Sequence, residues 1–279
     1  MLQPLKNLVK GLKARAYVLT GQRPWTLGYA EHKMKVIRDI LADRRQLALF
    51  SDQAGLPRGF GFRLDERVIE LPWVIARLGR SAEGLLDAGS ALNHRYILSL
   101  PVFAAKKITI MTLAPENELK KPPITYVYGD LRRTGLASEA FDEIVCLSTL
   151  EHVGMDNTLF YTQDPGLKEA NTEGYKLVVT ELRRLLKPGG KLWITVPFGR
   201  YENHGWLQQF DRRMVRSVVE LFAGRAARDA YFRYLPDGWQ AADAADCEEC
   251  RYFDLRKQGD YDADRAAAAR AVACLELVK

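Results

Sequence analysis

The sequence predicts an α/β protein: a doubly wound, mostly parallel sheet of seven strands, preceded by an N-terminal helical extension. Three observations carry this expectation. From residue 84 onward, short apolar runs recur with crossover-length segments between them, the pattern of parallel strands alternating with helices. The first run, Gly84-Leu85-Leu86-Asp87-Ala88-Gly89-Ser90, ends in an acid, a small residue and a glycine. That is how a first parallel strand hands over to its helix, at the sheet edge where nucleotide-like ligands bind. The first 80 residues show helical spacing instead. A length of 279 residues allows one large domain with an appendage, divided here as 1–80 and 81–279.

Taken in order, residues 2–16 place Leu2, Leu5, Leu8, Val9 and Leu12 at helical spacing, with Lys6, Lys10, Lys13 and Arg15 opposite. Such a helix packs on its own domain or a partner, or rests on an anionic membrane surface. Arg23-Pro24-Trp25 breaks it, and Glu31 to Leu49 reads as a second helix. A loop over residues 54–62 contains Gly59-Phe60-Gly61, which follows no strand and is therefore no phosphate loop. Residues 64–78 read as helical, with Pro72 forcing a bend or break. The charged run Arg63 to Glu70 within it reads as a solvated helix face. The strands are Leu85–Asp87, Lys107–Thr112, Ile124–Tyr128, Phe141–Leu147, Lys191–Val196, Tyr231–Leu235 and Ala271–Val278. Between them, Tyr175–Leu186 forms a helix stopped by Lys187-Pro188-Gly189-Gly190. Asp211 is placed as the N-cap of a helix running to about Phe222. The alanines at 266–269 read as helix formers.

Composition narrows the function classes. Hydrophobic residues make up 47% and charged residues 27%, as in globular proteins, and no apolar stretch has the length of a membrane span. The start lacks the pattern of a secretory leader, so a cytoplasmic location, with membrane association through residues 2–16 as an option, is the expectation. The net charge of +6 is scattered among acids, which argues against a nucleic-acid groove. Cys146 and Cys274 lie in strand-like runs as small hydrophobes. Cys247 and Cys250 form a single C-x-x-C with no second pair, so no metal site is assigned.

Two further segments sharpen the reading. Ala140-Phe141-Asp142-Glu143-Ile144-Val145-Cys146 runs into Leu147-Ser148-Thr149-Leu150-Glu151-His152-Val153, and Leu182-Arg183-Arg184-Leu185-Leu186-Lys187-Pro188-Gly189-Gly190-Lys191-Leu192 follows. In this order, downstream of Asp87-Ala88-Gly89 and Gly129-Asp130, they resemble the class I S-adenosylmethionine-dependent methyltransferases, a Rossmann-like family. The resemblance covers roughly residues 84–198. It implies that S-adenosylmethionine is the cofactor and that the turn Asp87, Ala88, Gly89, Ser90 and Asn93 lies beside it. It also implies that Asp130 accepts from the adenine amino group, Leu131 borders the adenine and Ser148 lines the methionyl side. Elements before the first strand often form a lid in this family, a role open to Trp25, Tyr29 or the charged run.

The sequence also departs from the family pattern. The second strand ends in Thr112 where the family carries an acid for the ribose diol, and Glu116 is the candidate replacement. Ser90 and Asn93 stand in a turn that would carry glycines, and Asn93 is the candidate for a left-handed position. His152, four residues after Ser148, is the candidate general base. Residues 197–206 mix aromatic, amide and histidine groups, which suits a small-molecule or glycan-like acceptor methylated at oxygen. A non-catalytic binding or scaffold protein of the same fold is the alternative. A nicotinamide-dependent dehydrogenase is disfavoured, because its phosphate loop needs closely spaced glycines.

Overall fold

A computed structural model describes residues 2–51, 55–81, 83–119, 124–162 and 164–279, with side chains from residue 8 onward. The expectations at Leu2, Leu5, Lys6 and Ala54 lie outside this description. Four helices come first: α1 (Leu2–Leu19), α2 (Tyr29–Ala42), α3 (Arg44–Ser51) and α4 (Arg67–Ile75). The predicted helix over 31–49 is divided at Asp43, whose carboxylate accepts from the amide of Arg45 at 2.8 Å and restarts the chain as α3. Pro72 does not break α4. It sits one turn in, so it removes a single internal hydrogen bond, and every residue from Val68 to Ile75 is buried against neighbours that hold the helix.

The sheet then forms from β1 (Gly84–Ala88), β2 (Lys107–Thr112), β3 (Ile124–Tyr128), β4 (Phe141–Leu147) and β5 (Leu186–Pro197). The short α5 (Arg95–Leu98), α6 (Thr158–Tyr161) and the longer α7 (Gly174–Leu185) lie in the crossovers. After β5 come the short pair β6 (Glu202–Asn203) and β7 (Gln208–Gln209), then α8 (Arg212–Phe222). Asp211 caps α8 as expected, accepting from the amide of Met214 at 2.8 Å. The chain closes with β8 (Ala226–Leu235), β9 (Gly238–Ala242), α9 (Ala244–Cys247), α10 (Leu255–Gln258) and β10 (Ala271–Val278).

The main sheet has eight strands in the order β3-β2-β1-β4-β5-β10-β8-β9, and this corrects the predicted seven. Strands β3 to β5 are parallel, while β10 is antiparallel to both β5 and β8. The added strand is β9, hairpinned onto β8 across Pro236-Asp237. Gly238 makes the turn possible: its φ is +124°, and a Cβ there would fall 2.5 Å from the carbonyl oxygen of Phe60.

Alternation along the strands fixes the two layers. In β4, Val145 and Leu147 join Tyr17, Ile37, Ile69 and Trp73 in one core, whereas Ile144 and Cys146 join Val178, Leu182, Val215 and Phe222 in the other. Helices α1–α4 thus share a core with β1, β2, β4 and β5 on one face, while α7 and α8 cover the opposite face. The alanine run is a second correction. Residues 266–269 are buried but not helical, and their backbone bonds are tertiary. Trp25 Nε1 donates to the Ala267 carbonyl at 2.6 Å, and the Ala269 amide donates to Glu66 at 3.2 Å. Small side chains let this segment pass through the core, and packing overrides helix propensity.

Candidate cofactor crevice and acceptor cavity

The carboxyl ends of the parallel strands converge on one edge, where loops expose backbone donors. At the tip of β1, Asp87 is fully buried, and its two oxygens accept from the amides of Ala91 at 3.1 Å and Leu92 at 2.8 Å. It therefore braces the turn. Burial pushes its carboxyl up to about 7, against the pull of those two amides. Ala88 is buried in the sheet beside it. Gly89 has φ +111°, and a Cβ there would meet Thr149 Oγ1 at 2.1 Å. Its missing side chain makes room for Thr149, two residues past β4. The left-handed non-glycine residue of the turn is Ser90, at φ +64°, which corrects the assignment to Asn93. Asn93 instead accepts from Tyr126 Oη at 2.9 Å and ties the turn to β3.

Glu116 lies between the tips of β1 and β2. Its carboxylate accepts from Ser90 Oγ at 2.8 Å and from Thr112 Oγ1 at 3.0 Å. A carboxylate thus stands at the end of the second strand, although Thr112 is the strand residue. Tyr161, from α6, shares a hydrogen bond with Thr112, and burial followed by the Glu116 charge raises its phenol. At the tip of β3, Asp130 is paired with Arg132, Nη2 to Oδ2 at 2.6 Å, and Arg132 also pairs with Glu169. Burial of Asp130 is outweighed by these bonds, and its carboxyl stays below the usual range. Leu131 is buried next to it.

The tip of β4 shows what the sequence concealed. The charged run before α4 is not a solvated face: Asp65 and Glu70 are buried, Glu70 completely. Glu70 Oε1 accepts from Ser148 Oγ and from Thr195 Oγ1 on β5, and its Oε2 accepts from Arg67 Nη1 at 3.0 Å. Arg67 Nη1 also donates to the Leu147 carbonyl at 3.2 Å, so the first turn of α4 is docked on the β4 tip. Ser148, itself at positive φ, is held by α4 rather than presented freely to the methionyl side. The signal available in the sequence was the i, i+3 spacing of Arg67 and Glu70 ahead of the unbroken apolar run Leu71 to Ile75.

Beyond β4, His152 Nδ1 donates to the Trp206 carbonyl at 3.0 Å, and its ring lies 5.3 Å from the Trp206 ring. Burial, offset in part by that bond, pushes the imidazole down to about 4, with the Arg67 charge adding to the fall. His152 is therefore a neutral ring at physiological pH, with Nε2 as its free lone pair. Trp206 Nε1 donates to Asp254 at 3.1 Å. Asp254 borders a cavity of about 630 Å³ with Glu202, His204, Arg233, Arg251 and Arg270. This cavity lies at the same end of the sheet, by the last residues of β8 and the residue before β10, and its Asp254 is the residue bonded to Trp206. Cys250 also lines it, but burial raises its thiol and pushes that of Cys247 up to about 12. Among the described residues no cluster of His, Cys, Asp or Glu has a metal-holding arrangement.

Residues 88–194 match the family described as a methyltransferase domain. No curated protein matches the chain. Among solved structures, it is similar to a S-adenosylmethionine-dependent methyltransferase from Archaeoglobus fulgidus, with 11% identity, 85% of this chain and 100% of that chain covered, and a TM-score of 0.47. It is similar to the 1,6-didemethyltoxoflavin-N1-methyltransferase of Burkholderia thailandensis, solved with its substrate and S-adenosylhomocysteine, at 16% identity, 93% and 96% coverage, and a TM-score of 0.44. The [4+2]-cyclase SpnF is also similar, at 17% identity, 74% and 78% coverage and a TM-score of 0.44. The methyltransferase-domain match runs from the end of β1 into β5, so the parallel part of the sheet carries a methyltransferase domain.

Proposed function

We propose that the chain transfers the methyl group to an oxygen of a small, polar, hydroxyl-rich acceptor such as a sugar. The observation that supports the acceptor class is the cavity beside Trp206. Its wall holds both carboxylates (Glu202, Asp254, Asp262, Asp264) and guanidinium groups (Arg233, Arg251, Arg270), with Arg251 paired to Glu202 and Arg270 to Asp262 and Asp264, so hydrogen-bond acceptors and donors both line it. A neutral ligand bearing many hydroxyls satisfies both.

The residues at the crevice fit the cofactor. Glu116 supplies a carboxylate for the ribose diol, with Ser90 and Thr112 holding it in place. Asp130 and Leu131 border the adenine end, while Asp87, Ala88, Gly89 and Asn93 shape the turn. When bound, S-adenosylmethionine supplies an electrophilic methyl group on a sulfonium. Aligning the acceptor oxygen and excluding water are then the main demands on the protein. His152 Nε2 takes the hydroxyl proton as the new bond forms and passes it to solvent. A weak base suffices there, because the oxygen becomes acidic only as it is alkylated.

The test is transfer of label from methyl-labelled S-adenosylmethionine to a panel of sugars, phenols and amines, with the product bond identified by mass spectrometry. Label on a sugar hydroxyl supports the reading, and label on an amine alone refutes it. Failure to bind S-adenosylhomocysteine at millimolar concentration supports the scaffold alternative.

A second reading concerns location. Leu8, Val9 and Leu12 of α1 are exposed beside Lys10, and this supports peripheral contact with an anionic membrane from the cytoplasmic side. Co-sedimentation with vesicles containing phosphatidylserine should fall when Leu8 and Leu12 are replaced by Glu. Unchanged binding, or none in the parent, refutes it. Among the described residues no helix is long and apolar enough to cross a membrane.

A further inference from the structure

The polar groups nominated at the crevice are mostly engaged with the protein itself. Asp87 holds the amides of residues 91 and 92, Ser90 donates to Glu116, and Ser148 donates to Glu70. Arg67 differs. Its Nη1 is fixed by Glu70 and the Leu147 carbonyl, yet the side chain remains 30% exposed. Its position is over-determined, because Glu70 is in turn locked by Ser148 and Thr195 at the ends of β4 and β5. The Arg67 charge reaches groups on both sides of the crevice. It opposes protonation of His94 and His152 and favours ionisation of Asp87. Around it stand Asp65, Glu66, Glu70 and Glu151, of which burial raises the carboxyls of Glu66 and Glu151, and Asp65 is paired with Lys33.

We propose that Arg67 anchors the carboxylate at the amino-acid end of the cofactor, and that Glu70 is the residue that positions it. This inference rests on the cofactor placement described above and assigns the far end of that crevice to the helix before the first strand. A guanidinium held by one nitrogen presents its remaining N–H groups as a fork, the geometry that grips a carboxylate. The glycine turn then shapes the floor of the crevice, while α4 distinguishes the intact cofactor from nucleosides that lack the amino-acid tail.

The experiment compares two ligands by calorimetry on the full chain: S-adenosylhomocysteine, which has the carboxylate, and 5′-methylthioadenosine, which does not. Hydrogen bonds to charged groups set the expected size, so Arg67→Met should weaken S-adenosylhomocysteine about 10- to 150-fold. Its affinity for 5′-methylthioadenosine should stay within about twofold, which also reports that the crevice is folded. Arg67→Lys keeps the charge but loses the fork and should fall between parent and Arg67→Met. Glu70→Gln should weaken S-adenosylhomocysteine by less than Arg67→Met does, again without changing the truncated nucleoside. Equal loss of both ligands in Arg67→Met and Arg67→Lys overturns the inference by showing a structural role, and unchanged affinity for both overturns it directly. A parent chain that binds neither ligand refutes the cofactor placement and this inference with it. A parent that binds both equally refutes this inference alone.

Discussion

Replacing Gly89 by alanine tests the geometry of the crevice floor. A Cβ at this position would lie 2.1 Å from Thr149 Oγ1, 2.7 Å from its Cγ2 and 2.9 Å from its Cβ. Turning Thr149 away would break the bond its Oγ1 donates to the Leu147 carbonyl at 3.0 Å. Two costs therefore combine. Holding alanine at φ +111° costs about 1–3 kcal/mol, and forcing an extra methyl into a filled space costs about 1–3 kcal/mol more. Gly89→Ala should lose about 2–6 kcal/mol in urea unfolding, and its melting temperature should fall by about 2–4 °C for each of those kcal/mol. Adding Thr149→Ala removes the two nearest atoms but leaves the backbone angle. The double variant should regain about 1–2 kcal/mol of the overlap share. A Gly89→Ala protein within about 0.5 kcal/mol of the parent, or no recovery in the pair, would refute the reasoning.

Other outcomes follow from the buried charges and thiols. Asp87 and Glu66 have carboxyls raised to about 7 and about 8, chiefly by burial, so the folded state holds their protons more tightly than the unfolded chain. Stability should accordingly fall as pH rises from about 5 to about 8, and Asp87→Asn should flatten part of that slope. A urea midpoint that climbs over this interval contradicts the assignment. At the acid end the sign reverses: hydrogen bonds from Arg184 hold Glu181 down to about 2, and stability from that pair should disappear as pH falls from about 4 toward 2. All four cysteines are buried and their thiols are raised by burial, so an aromatic disulfide reagent should titrate none quickly in the native protein and four after denaturation. His152→Ala should lower the transfer rate by about 10²-fold or more and leave S-adenosylhomocysteine affinity unchanged. An equal loss in both would make His152 a structural residue.

Much of the frame was legible because it follows from local pattern. The continuous apolar run Ile144–Leu147 marks a strand buried on both faces, and Asp211 ahead of Arg212-Arg213-Met214 marks a helix start. Glu116 illustrates a site inference drawn from a deficit: an acid missing from the strand directed attention to the nearest acid after it. Other features depended on tertiary partners that no window of sequence contains. The run Arg63–Glu70 has the composition of a surface helix, and partners far along the chain, the hydroxyls of Ser148 and Thr195 for Glu70 and the groups of Tyr29 and Lys33 for Asp65, help make its burial tolerable. Alanines 266–269 gave a helical signal that lost to a bond donated by Trp25 and one accepted by Glu66. The eighth strand was more accessible, since Leu235-Pro236-Asp237-Gly238 is a turn sequence between two apolar stretches.

The carboxylate of Glu70 has a consequence for biosynthesis. One of the hydroxyls that satisfies it, Thr195, follows 125 residues later in the chain. At about 5–20 residues per second, translation needs roughly 6–25 s to deliver it. Throughout that interval the acid on α4 has only part of its final set of partners, so the bonds that complete its buried network form late. The leading quarter of the polypeptide therefore completes its packing only when the fifth strand arrives.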